Sequence, residues 1–135
     1  MSDKKIRLQI STPDRDFYNG DVDMVVVKSV TGEMGILPHH LALATILDVG
    51  ILKIKNENVE KQAVLNGGFM EIKNSVVSIL TDSAEWPEEI DLERAKQAKE
   101  RAEERLKMKD ADIDFDRAEF ALKKAINRIK NLENK

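Results

Sequence analysis

The chain has no cysteine, two histidines, three prolines and an aromatic share of only 4%. Without cysteine there is neither a disulfide framework nor a thiolate metal site. The histidines stand side by side as His39 and His40, and adjacent imidazoles seldom point at one metal, so no metal site is expected. A Ser-His-Asp set is disfavoured as well, because no G-x-S-x-G elbow occurs. Missing too is any run of about 18 apolar residues that would cross a bilayer. The opening Met1-Ser2-Asp3-Lys4-Lys5 lacks the apolar stretch of a secretory signal. The expectation is a cytoplasmic protein that meets a membrane only through a partner. A formal net charge of −3 argues against a nucleic-acid binder, which carries a basic stripe.

What the chain does have is charge, unevenly spread. Charged residues make up 35%, against the ~25% usual in globular domains. Residues 1–87 hold 9 Lys+Arg and 12 Asp+Glu, whereas the remaining 48 residues hold 13 of each. This shift predicts a boundary at Trp86-Pro87, with one domain over 1–86 and another over 87–135.

The first part reads as short strands. Residues 4–10 alternate, with Ile6, Leu8 and Ile10 on one face and Arg7 and Gln9 on the other, the period of a half-buried strand. Thr12-Pro13-Asp14 and Asn19-Gly20-Asp21 carry turn chemistry. A β-branched run over 22–28 is broken by residues 31–35, and Pro38 is unfit for a central strand because it lacks an N–H. Apolar runs follow at 41–47 and 49–55, separated by a bend at Asp48. Asn56-Glu57-Asn58, Asn66-Gly67-Gly68 and Asn74-Ser75 then read as turns between strands over 59–65, 69–73 and 76–81. Many short strands without an intervening helix predict an antiparallel β-sandwich or barrel.

After Pro87 the period becomes 3.6. Asp91 is a plausible N-cap, and Leu92, Ala95, Ala98 or Lys99, Ala102 and Leu106 line one face of a first helix. Residues 107–112 suit a turn. A second helix is expected from Asp112 or Asp114, with Phe115, Ala118, Leu122, Ala125, Ile129 and Leu132 as its stripe. Residues 117–135 hold 6 basic and 2 acidic side chains, so this helix is basic. Alanine adds only about 0.8 kcal/mol per buried methyl-sized group, so such a hairpin is weakly held by its own contacts.

No constellation of catalytic residues stands out. Gly67-Gly68 lacks the Lys-Ser/Thr and helix start of a phosphate loop, and the many carboxylates lie on faces expected to be solvated. At residues 90–95, a helix N-terminus with Asp91 could bond a ribose or adenine. Arg94 and Arg101, seven apart, share a face from which both could reach phosphates. An N-cap followed by two solvated arginines explains the same residues.

Three stretches taken together resemble the epsilon subunit of bacterial F-type ATP synthases: residues 32–40 (GEMGILPHH), 66–71 (NGGFME) and 90–95 (IDLERA). The ending, with DIDF at 112–115, RAE at 117–119 and AINR at 125–128, is similar too, closest to Bacillus-like forms. The resemblance implies a β-sandwich followed by a two-helix antiparallel hairpin, with no catalytic residues of its own. It implies a rotor subunit of a proton-translocating ATP synthase that binds the gamma subunit and the c-ring and works beside the alpha and beta catalytic subunits. It places Glu33, Ile36, Pro38, His40 and Leu41 at the gamma and c-ring contact.

It further implies that the hairpin extends to block ATP hydrolysis, with Lys123, Lys124, Arg128 and Lys130 meeting an acidic segment of beta. No cofactor is required; ATP is implied as a regulatory ligand on Glu85, Ile90, Asp91, Arg94, Ala95, Arg101, Lys124 and Arg128. Lys124 stands where the tightest ATP-binding relatives carry arginine, and lysine lacks the planar fork that grips two phosphate oxygens. A stand-alone ATP-sensing module is the alternative.

Overall fold

A computed structural model of the chain describes residues 5–39, 42–107 and 115–133. The chain divides into two compact units, Met1–Glu85 and Trp86–Lys135.

Among the described residues, the first unit contains eight strands: β1 (Ile6–Ser11), β2 (Asp16–Val22), β3 (Met24–Ser29), β4 (Gly32–Ile36), β5 (Leu43–Asn56), β6 (Val59–Lys73), β7 (Val76–Leu80) and β8 (Ala84–Glu85). Their hydrogen-bonded path runs β2-β1-β7-β6-β5-β3-β4, with β8 paired to β6. It folds over on itself as a sandwich. The alternation in β1 has the expected result: Ile6, Leu8 and Ile10 are wholly buried while Arg7 and Gln9 are exposed. All pairings are antiparallel except β1 with β7, which is parallel (Leu8 beside Val77, Ile10 beside Ile79).

Several expected turns lie inside strands. The runs at 41–47 and 49–55 join into the single strand β5, and Asp48 merely turns its Oδ1 back to accept from the Val49 N–H at 2.8 Å. Asn66-Gly67-Gly68 falls within β6, and Asn19-Gly20-Asp21 within β2, opposite Gln9, Leu8 and Arg7. Residues 32–35 form most of edge strand β4 rather than a break. The ladder overrides local turn chemistry here because each segment has a partner strand for its backbone groups. The expected turns at 56–58 and 74–75 do form. Glu57 and Asn58 (φ 51° and 66°), then Asn74 and Ser75 (φ 52° and 64°), supply the paired positive φ of a twisted two-residue hairpin turn.

The β5–β6 ribbon passes from one layer of the sandwich to the other. Along β5 the inward residues are Leu47 and Val49, then Leu52 and Ile54; along β6 they are Ala63 and Leu65, then Met70 and Ile72. This change of parity moves the core-facing side from one face of the ribbon to the other. At the crossing, residues 63–67 are buried without a break. Gly67 and Gly68 take φ of +86° and +142°, and a Cβ at Gly68 would collide with the Leu80 carbonyl oxygen. The Thr81 hydroxyl donates to the Gly67 carbonyl at 2.6 Å, and the Asn66 N–H to the Ser83 carbonyl at 3.2 Å, which fixes the crossing.

The second unit opens with a 3₁₀ turn over Pro87–Glu89. The Trp86 N–H donates to Glu89 Oε1 and the Glu89 N–H to the Trp86 carbonyl, both at 3.0 Å. Helix α1 (Leu92–Lys107) and helix α2 (Phe115–Glu133) form the hairpin. Asp91 caps α1, its Oδ1 accepting from the Arg94 N–H at 3.2 Å. Glu93 in the first turn and Arg105 and Lys107 in the last suit the helix dipole. Of the expected stripes, Ala95, Ala102, Ala118 and Ala125 are buried, Ala98, Lys99, Leu106, Leu122, Ile129 and Leu132 are half-buried, and Leu92 is exposed. The expected turn at 107–112 and the start of the second helix at Asp112 or Asp114 lie, but for Lys107, outside the described residues; the Phe115 side chain is likewise not described.

Candidate functional site

Two surfaces concentrate the residues singled out above, one on each unit. On the sandwich, Glu33 is exposed on edge strand β4 and Pro38 is half-buried just beyond it. Ile36 departs from the contact expected of it: it is fully buried, so its side chain anchors the core and offers no surface to a partner in this conformation. His39 is exposed, with φ 67°. His40 and Leu41 lie outside the described residues.

A larger feature of this unit was not anticipated. Ile46 pairs with Phe69, and Phe69 with Leu80, across β5, β6 and β7. Next to Ile46, across β3–β5, the Val30 N–H donates to its carbonyl at 3.1 Å. Directly opposed residues share a face. Val30, Ile46, Phe69 and Leu80 therefore form one apolar row across four chain segments, each 45–61% exposed. Phe69 and Leu80 also line a groove that continues over Thr12, Pro13 and Asp82. Exposed apolar side chains aligned in this way make the row a candidate interaction surface. Its sequence signal was parity: each member sits out of phase with the buried neighbours Leu47, Met70 and Ile79, which becomes visible only once register is known.

On the helical unit, the Ile90 N–H donates to the Pro87 carbonyl at 3.2 Å and Asp91 caps the helix. One Asp91 carboxylate oxygen is thus engaged by the backbone. Ala95 is buried, and its N–H donates to the Asp91 carbonyl at 3.0 Å in the first α-helical turn. Arg94 and Arg101 are both exposed on α1, about 10 Å apart along the axis at 1.5 Å per residue. On α2, the Lys124 ammonium lies 4.9 Å from the Phe120 ring centroid, a cation–π contact that holds it near the helix surface. Arg128 is half-buried, Lys123 and Lys130 are exposed, and Lys123 and Arg128 already have partners. Glu85 belongs to the sandwich unit, where it pairs with Val64. Chemically, the α1 face offers two guanidinium groups and a capped N-terminus, suited to an anion and to no bond-making step.

Among the described residues, no group of three His, Asp or Glu could hold a metal, and no helix is long and apolar enough to cross a membrane.

Residues 5–87 match the family described as "ATP synthase, Delta/Epsilon chain, beta-sandwich domain", and residues 88–133 match "ATP synthase, Delta/Epsilon chain, long alpha-helix domain". An ATP synthase epsilon chain of Caldanaerobacter subterraneus is 48% identical over 95% of this chain and 94% of that relative. Another, of Alkalihalophilus pseudofirmus, is 52% identical over 92% of this chain and 94% of that one. Among solved structures, a chain of the Euglena gracilis mitochondrial ATP synthase aligns with a TM-score of 0.83 at 29% identity, over 97% of this chain and 81% of its own. A chain in the structure of the Tetrahymena thermophila mitochondrial ATP synthase central stalk and c-ring shares the fold alone, with a TM-score of 0.60 at 18% identity, over 99% of this chain and 98% of its own.

Proposed function

The chain belongs to the ATP synthase delta/epsilon family, as an epsilon chain of the bacterial, Bacillus-like type, and from that premise we propose that it is a non-catalytic subunit of the central stalk. Its sandwich would bind the gamma subunit and rest on the c-ring; its hairpin would restrain ATP hydrolysis by the alpha and beta subunits. The observation that carries this assignment is the row Val30–Ile46–Phe69–Leu80. A sandwich whose core is already filled leaves four large apolar side chains in water at a cost that a protein partner would remove. Glu33, Pro38, His40 and Leu41 would extend that contact toward the c-ring. Attachment to the cytoplasmic face of the membrane, and any part in proton transport, would follow from the complex.

A regulatory role fits the hairpin because, among its described residues, the buried hydrophobic positions are alanines. Docked and undocked states of such a unit differ by little, which suits a two-state element. In an extended state, Lys123, Lys124, Arg128 and Lys130 would meet acidic groups on beta, and that pairing would weaken as salt rises. ATP bound across Arg94 and Arg101, with Asp91, Ile90, Ala95, Lys124 and Arg128 contributing, would favour the folded hairpin. Lysine at 124 would make that binding weaker than arginine would. A stand-alone ATP-sensing module would leave the apolar row without a use.

The test is deletion of residues 91–135 in the assembled complex. ATP hydrolysis should rise while the sandwich stays bound to gamma. Unchanged hydrolysis would remove the inhibitory role, and failure of the full chain to co-purify with gamma would remove the stalk assignment.

A further inference from the structure

The groove at the end of the apolar row combines two chemistries. It is lined by Phe69 and Leu80, 45% and 61% exposed, and also by the exposed Asp82. It holds about 440 Å³, room for one long side chain. The hydroxyls of two other lining residues are committed to the fold. Thr12 Oγ1 donates to the Arg15 carbonyl at 3.2 Å, and Thr81 Oγ1 to the Gly67 carbonyl at 2.6 Å. Asp82 differs: among the described residues it enters no ion pair. Neither do Asp14, in the adjoining turn, and Asp16, which stands opposite the lining residue Ser11 across β1–β2. Arg15, the cation between those two in sequence, lies over the Phe17 ring at 5.0 Å and donates to the Ala84 carbonyl at 3.4 Å. An apolar groove is thus bordered by carboxylates that the chain itself leaves uncompensated.

A neutral apolar occupant would set Asp82 against an apolar surface without a partner, at a cost in free energy. A long basic side chain satisfies both chemistries, because its methylene stem covers Leu80 while its head reaches the carboxylate. Arginine fits better than lysine, since a planar guanidinium stacks on an aromatic face and forks to a carboxylate. We propose that the groove is a specificity pocket that receives an arginine of the subunit docked on the apolar row, with Asp82 as the residue that reads its charge. The inference deepens the stalk assignment and rests on it. The row supplies apolar area, and the pocket decides which apolar surface docks there. An acidic surface of the same shape is turned away by the same carboxylates.

Calorimetric binding of the full chain to purified gamma, at about 0.05 M and about 0.5 M salt, tests the pocket. Asp82→Asn keeps the shape and removes the charge. It should weaken binding about tenfold at the lower salt and less than about threefold at the higher. Leu80→Ala should weaken it about tenfold at both. Asp21→Asn removes a charge already paired with Arg7 at 3.5 Å, and should change binding by less than about twofold. The proposal is overturned if Asp82→Asn binds as tightly as the native chain, if it loses the same factor at both salt concentrations, or if Asp21→Asn weakens binding equally. Should Leu80→Ala and Phe69→Ala also bind normally, the assignment of the row falls with it. A loss confined to those two variants leaves the row standing and sinks only the pocket.

Discussion

In β1 alone, Ile6, Leu8 and Ile10 lie entirely out of water, whereas among the described residues the helices of the second unit bury four alanines and one asparagine. Each large side chain contributes about 1.5–3 kcal/mol on burial, and an alanine methyl only about 0.8. Among the described residues, the twelve largest fully buried side chains all belong to the sandwich. Backbone pairing widens the gap, since β5 and β6 hold each other over nearly their whole length. The helices rely instead on capping, dipole complementarity and a thin seam. Two units of very different charge density therefore differ in cohesion as well: one is held by a large apolar core, and the other by a thin seam.

The contrast breaks most directly at the core. Leu8→Ala, at a wholly buried site, should lower the unfolding free energy of the sandwich by about 2–5 kcal/mol, measured by urea denaturation. A sandwich that tolerates it would mean that its rigidity lies elsewhere. Gly68→Ala should come next, costing roughly 1–3 kcal/mol from the left-handed backbone alone, with the collision against Leu80 adding to it; thermal unfolding would report it. On the helical side, Asp91→Ala removes the cap on the Arg94 N–H and should cost about 1 kcal/mol. That loss should appear as faster exchange in α1 and leave β1 untouched; if β1 also loosens, the units are not independently stabilised. The smallest effect is expected from Asp21→Ala. It breaks the Arg7–Asp21 pair at 3.5 Å, whose side chains are 43% and 55% exposed, so solvent screening should hold the change below about 0.5 kcal/mol by the same denaturation.

Much of this architecture was legible because period and capping are local. The alternation of residues 6–10, the Asp91 cap and the alanine stripes needed only near neighbours. The long strands were not legible, because Asp48, Asn66-Gly67-Gly68 and Asn19-Gly20 carry genuine turn chemistry whose outcome depends on a partner strand far away in sequence. Real turns at Glu57-Asn58 and Asn74-Ser75 looked no stronger than the false ones. The apolar row escaped for the same reason. Ile46, Phe69 and Leu80 stand in apolar runs whose inner and outer faces are told apart only by register, and Ile36, placed by the resemblance at a partner contact, belongs to the core. Residues 90–95 were visible as a helix start, but a cap and a ligand site use the same groups, and spacing alone does not separate them.

The ribbon formed by β5 and β6 has a mechanical consequence. Because each of these strands belongs to both layers, the layers cannot shear past one another without tearing the ladder that runs from Leu43 opposite Ile72 to Asn56 opposite Val59. A torque applied through one layer would reach the other through continuous backbone, with no sliding interface in which to dissipate. Glycines at the crossing give the ribbon its bend, and the bonds from Thr81 and Asn66 keep that bend from acting as a hinge. As a component of a rotating shaft, this unit would behave as a stiff key rather than a spring.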